Sequence, residues 1–151
     1  MVKEIRNKTG LKQCTNTREL INWFKSLKNM KKSKFVIFDI DGYYTSITPT
    51  LIEKTLDWAM AYVDVTPQQR KIIHQACQSF LYSEGMPWVK KGEVNFDVGM
   101  GAFHGAQVCE LVGLFLLNLL KGLPNFEAIL YRDDGLGVTS STPRLHTGNR
   151  L

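Results

Sequence analysis

The chain reads as an α+β protein, with helices layered on a sheet. Apolar residues recur at helical spacing in four separate stretches, and short runs rich in β-branched and aromatic residues stand among them. The two kinds of segment do not alternate strictly, which favours α+β layers over a doubly wound parallel sheet. The 151 residues suit one domain, and a hydrophobic share of 44% is enough to build its core.

The first helical stretch opens at Asn16, with Glu19 three residues on in the manner of a capping box. Leu20, Ile21, Phe24 and Leu27 form its apolar stripe. A basic stretch, Lys28 to Lys34, leads into Phe35-Val-Ile-Phe-Asp-Ile40, whose composition and length predict a buried strand. Thr48-Pro49 supplies an N-cap and a first-turn proline, followed by Ile52, Leu56, Ala59 and Val63. Thr66-Pro67-Gln68-Gln69 repeats that start, with Ile72, Ile73, Ala76 and Phe80 behind it.

Trp88 to Val98 predicts a hairpin turning near Gly92. The glycine-rich run Gly99 to Gly105 precedes Val108 to Leu120, which reads as a buried helix. Glu110 and Asn118 interrupt it, and it is shorter than the roughly 20 residues that span a bilayer. Phe126 to Tyr131 and Leu136 to Ser140 predict two strands joined through Arg132-Asp133-Asp134-Gly135, an ordinary turn composition in which the glycine would supply positive φ. From Ser141 onward no periodicity remains, so 141–151 is expected to be an unstructured tail.

Charge is unevenly spread. Residues 1–34 hold ten basic side chains against Glu4 and Glu19, a local +8, while the whole chain carries +5. A basic N-terminal segment with one helix, ahead of a mildly acidic body, is the pattern of a chain that touches phosphate backbones, although a solvated lysine-rich surface gives the same count. Cys14, Cys77 and Cys109 are odd in number and widely spaced, and His74, His104 and His146 have no ligand spacing. Neither a disulfide framework nor a zinc site is expected, which fits a reducing, intracellular setting. No apolar secretory leader stands at the N-terminus.

The chemistry is concentrated in acids at strand ends. Asp39 and Asp41 close the first strand, and Asp133 and Asp134 sit between the last two. Adjacent carboxylates repel unless a cation offsets them, and such hard oxygen ligands suit magnesium. Two ions about 3.5–4 Å apart would clamp the attacking and leaving oxygens of a displacement at phosphorus, with no serine or cysteine nucleophile required.

Three segments in order resemble the palm of reverse transcriptases. Phe38-Asp-Ile-Asp-Gly-Tyr-Tyr-Thr-Ser-Ile47 is similar to the first palm motif, and Leu130-Tyr-Arg-Asp-Asp-Gly-Leu136 to the aromatic-x-Asp-Asp hairpin. Between them, Asn95 to Gly113, preceded by Pro87-Trp-Val-Lys-Lys91, resembles a long motif of one branch of retroelement-type polymerases. The resemblance implies a palm-like antiparallel sheet with helices packed on one face, over residues 35–140. It implies an RNA-directed DNA polymerase that transfers nucleotides from deoxynucleoside triphosphates to a primer 3′-hydroxyl. RNA template and DNA primer would be partners, and two Mg2+ ions, or Mn2+, the cofactors.

Residue by residue, Asp39, Asp133 and Asp134 match the catalytic metal ligands, with Asp133 the more important of the hairpin pair. The Ile40 carbonyl would be a further ligand. Tyr44 matches the aromatic beneath the incoming sugar that excludes a 2′-hydroxyl, although core packing beside a strand would also explain it. Gly101, in the turn to Gly105, matches the backbone that approaches the nascent base pair. The chain departs from the family at Gly42, where many members carry an acid, at Met100-Gly101 in place of Gln-Gly, and at Arg132, a large cation. No further palm element is legible after Ser140 and little chain precedes Phe35 for full fingers, so the isolated chain is expected to be inactive.

Two other classes fit parts of the pattern. Asp39-Ile-Asp-Gly42 also resembles the opening of haloacid-dehalogenase-type phosphatases, with Asp39 as nucleophile, Asp41 as acid/base and Asp133-Asp134 holding magnesium. Tyr43-Tyr44 then stands where that family has a small β-branched residue, and residues 48–125 offer none of the parallel strands it needs. A non-enzymatic retroelement remnant would bind RNA or DNA through Lys3 to Lys34, with steep salt dependence and no magnesium requirement.

Overall fold

The computed structural model describes residues 1–28, 30–78, 81–88, 96, 98–99 and 101–140. Its elements are α1 (Val2–Thr9), β1 (Lys12–Gln13), α2 (Thr17–Ser26), a 3-10 turn at Met30–Lys32, β2 (Lys34–Asp39), α3 (Tyr43–Ser46), α4 (Pro49–Ala59), α5 (Pro67–Ala76), β3 (Leu81–Ser83), β4 (Met86–Trp88), α6 (Gly105–Lys121), β5 (Phe126–Tyr131) and β6 (Asp134–Thr139). The α+β class is as expected. The predicted hairpin from Trp88 to Val98, the helical position at Phe80 and the tail 141–151 lie largely or wholly outside the described residues.

The helix starts follow the caps written in the chain. The Asn16 side chain accepts from the Glu19 N–H, Thr48 from Leu51, and Thr66 forms a full capping box with Gln69. Around Asn16 the box is displaced by one residue, because the Glu19 carboxylate reaches the Thr15 N–H at 2.8 Å. A short hairpin that the sequence did not suggest joins β3 to β4 through Glu84 and Gly85, both at positive φ, as a type I′ turn requires.

Among the described residues a four-stranded sheet runs in the order β1-β5-β6-β2. β5, β6 and β2 are antiparallel neighbours, while β1 lies parallel to β5. The expected antiparallel sheet is therefore a mixed one, and helices cover both of its faces rather than one. Side chains alternate across a sheet, so Gln13, Leu130, Gly135 and Phe38 line one face. There α6 packs on β5 and β1, with α1 and α4 behind it, around Ile5, Ile52, Leu56, Val112, Leu114 and Leu130. On the opposite face α2 lays Trp23 against Ile129 and Val138, with Leu20, Leu27 and Leu136 at the margin.

The basic N-terminal segment holds more than the one helix expected of it. It contains two helices and a strand of the sheet, and part of its charge is spent internally: Arg6 donates to the Gln13 carbonyl at 3.2 Å, and Lys8 to the Tyr62 carbonyl at 2.6 Å. β2 is also not the buried strand its composition predicts. Among the described residues it lies at the sheet edge, with Phe35 42% and Ile37 87% exposed. Apolar β-branched content marks a strand but not its place in the sheet. Among the described residues no helix is long and apolar enough to cross a membrane.

Candidate active site

Close backbone packing sets the geometry of the last hairpin. A Cβ on Gly135 would stand 2.1 Å from the Phe38 ring, and one on Gly137 2.3 Å from Phe126, so an aromatic side chain lies across each glycine. Gly135 therefore belongs to the strand and is not the turn residue of positive φ. The loop is only Arg132-Asp133, since Tyr131 already pairs with Asp134. Arg132 takes the positive φ, 56°, and its guanidinium sits 5.6 Å over the Tyr131 ring. A non-glycine residue in that region costs on the order of 1–3 kcal/mol and persists only where its surroundings fix it.

β2 brings the first acidic segment to the same end of the sheet. Asp39 is directly opposite Asp134, and the Ile40 N–H donates to the Asp133 carbonyl at 3.1 Å. That bond makes Ile40 and Asp133 a hydrogen-bonded pair, so Asp39 and Asp134 form the closer, non-bonded kind, about 4.5 Å between Cα atoms. Both aspartates are exposed and project from one face. Asp133 is out of phase with them, and is aligned instead with Ile40, whose side chain packs into the main core. The register thus partners Asp39 with Asp134 rather than with Asp133.

After Ile40 the chain turns sharply at Gly42, φ 55°, where a Cβ would come 3.1 Å from Thr45 Oγ1. The Gly42 carbonyl accepts from the Ser46 N–H at 2.8 Å, and Ser46 Oγ donates to the exposed Asp41's carbonyl at 3.1 Å. The short α3 that follows is pinned by Tyr43, which is buried and donates its hydroxyl to the Cys109 carbonyl of α6 at 2.6 Å. Burial, then the neighbouring Cys109, Tyr44 and Asp133, push the Tyr43 phenol well above its ordinary range. Burial, then Asp133, Cys77 and Glu110, push the Cys109 thiol up to about 12. Asp133 therefore acts on groups from both other segments.

Tyr44 is half-buried, packs against the core and meets the Tyr43 ring edge-on at 6.1 Å. Gly101 is exposed, with φ 87° and nothing within 4 Å of where its Cβ would be. Gly105, which begins α6, is instead closely packed, as a Cβ there would stand 2.8 Å from the Gly99 carbonyl. Tyr43 and Cys109 had no sequence signal beyond an aromatic after a strand-end glycine and a cysteine on an apolar helix.

Among the described residues no group of three or more His, Cys, Asp or Glu side chains stands ready to hold a metal ion. The donor chemistry at the acidic end nevertheless suits a hard cation: two solvent-facing carboxylates from neighbouring strands leave coordination positions for waters and phosphate oxygens, which is how magnesium is commonly held. Comparison with protein families, curated proteins and solved structures finds no match to the chain.

Proposed function

We propose that the chain is a palm-like portion of an RNA-directed DNA polymerase, with its reaction centre at the acidic end of the sheet. The observation that carries this reading is convergence. Three segments separated in sequence, ending β2, opening α6 and turning between β5 and β6, meet through the Asp39–Asp134 pairing, the Ile40–Asp133 bond and the Tyr43–Cys109 bond. These are the same segments that resemble the palm motifs, in the same order.

In this reading Asp39 and Asp134 face the phosphates, with Asp133 at the loop tip. Magnesium or manganese held there would neutralise charge on the phosphate under attack by a primer 3′-oxygen. Tyr44 would limit room beside the sugar, and the exposed Gly101 would approach the nascent base pair. The phosphatase alternative calls for a nucleophile on a strand among parallel neighbours, whereas Asp39 ends an edge strand antiparallel to its neighbour.

Primer extension on an RNA template with magnesium tests the reading, comparing this chain with one lengthened at both ends. Magnesium-dependent product from the longer chain, lost in Asp39→Asn, is expected. Absence of product from both would overturn it, and salt-sensitive binding without a divalent requirement would then leave nucleic-acid binding alone.

A further inference from the structure

We propose that β2 is the pairing edge of a two-fold dimer of this chain. The phase of the ladder is fixed by the Ile40 N–H bonded to Asp133, so Val36 and Phe38 direct their backbone groups toward β6. Phe35, Ile37 and Asp39 direct theirs outward, from a six-residue edge strand that has no proline. Its charges, Lys34 and Asp39, stand at its two ends, so the apolar middle of this edge, without a proline, is a template for another strand.

The surface beside that edge is apolar. Ile37 is 87% exposed and Phe35 42%, and Phe35 stacks on Phe24 of α2 with ring centroids 5.6 Å apart. Ile21 and Phe24, 47% and 40% exposed, extend the patch over the same face.

Charge selects a second copy as the occupant. The strand is preceded by Lys31 and Lys32 and followed closely by Asp41, with Asp39 at its end. An antiparallel copy lays the basic end of each strand beside the acidic end of the other, whereas a parallel one would set like charges together. Two-fold symmetry with continuous faces allows Val36 opposite Val36 of the copy, which sets Ile37 against Phe35 twice over and satisfies the outward groups of both residues.

Sedimentation over a wide concentration range, with cysteine cross-linking, decides the matter. A reversible dimer is expected, together with rapid disulfide formation in Val36→Cys, a non-hydrogen-bonded position whose Cα separation suits the bond. Ile37→Lys should weaken the dimer at least tenfold, and circular dichroism should show that this exposed substitution leaves the fold intact. A monomer at every concentration would overturn the proposal, as would a dimer indifferent to Ile37→Lys. Slow hydrogen exchange at the Phe35 and Ile37 amides of a monomer would overturn it too, by showing that another part of the chain covers the edge.

Discussion

A methyl group at position 135 would collide with the Phe38 ring, which already occupies that space at 2.1 Å. Gly135→Ala is therefore expected to destabilise the fold by about 1–3 kcal/mol, the cost of overpacking, measured by urea denaturation. Gly101→Ala meets no neighbouring atom but strains a backbone at φ 87°, so it should cost less. The same residue-scale detail explains what the sequence concealed. Asp-Asp-Gly has the composition of a turn, yet Gly135 is required for a ring to lie across a strand, and the positive φ falls on Arg132. Composition identifies residues that tolerate a turn, but not which one the ladder leaves outside its register.

At the scale of elements, the helix starts at Thr48 and Thr66 and the apolar α6 were legible because caps and periodicity are local. α1 was not, since only Ile5 of its eight residues is buried and no stripe repeats. β1 is two residues long and exists only through its pairing with β5. The edge position of β2 depends on its neighbours rather than its residues. The joint between α3 and α6 was equally hidden, because the hydrogen bond that pins it comes from one hydroxyl. Tyr43→Phe removes the donor to the Cys109 carbonyl and is expected to lower stability by about 0.5–1.5 kcal/mol, with the far-ultraviolet spectrum unchanged. The acidic end was legible as chemistry from the start. Its register was not, and that register gives Asp39 its partner in Asp134.

Over the whole molecule, the apolar clusters on the two faces of the sheet hold acidic hydrogens that burial keeps in place. The thiols of Cys14, Cys77 and Cys109 and the phenol of Tyr43 all titrate above their ordinary values, chiefly through burial. A group that holds its proton more tightly when folded stabilises the fold fully below its unfolded pKa and loses that contribution as pH rises toward the folded value. The melting temperature should thus be level up to about pH 8 and fall as pH climbs past the ordinary thiol range toward 12. Cys109→Ser would not titrate there, and a melting curve that declined as steeply in that variant would show that Cys109 contributes little. The same burial predicts that iodoacetamide leaves all three thiols unmodified until the chain unfolds, since each is buried and free.

The most direct measurement is paramagnetic broadening of amide resonances by manganese, because it asks whether Asp39 and the Asp133-Asp134 loop serve one ion. Substoichiometric Mn2+ is expected to broaden Asp39 to Gly42 and Arg132 to Gly135 together, with both effects lost in Asp39→Asn and in Asp134→Asn. Broadening that survives either substitution, or no broadening of these segments at all, would contradict a shared cation site at this end of the sheet.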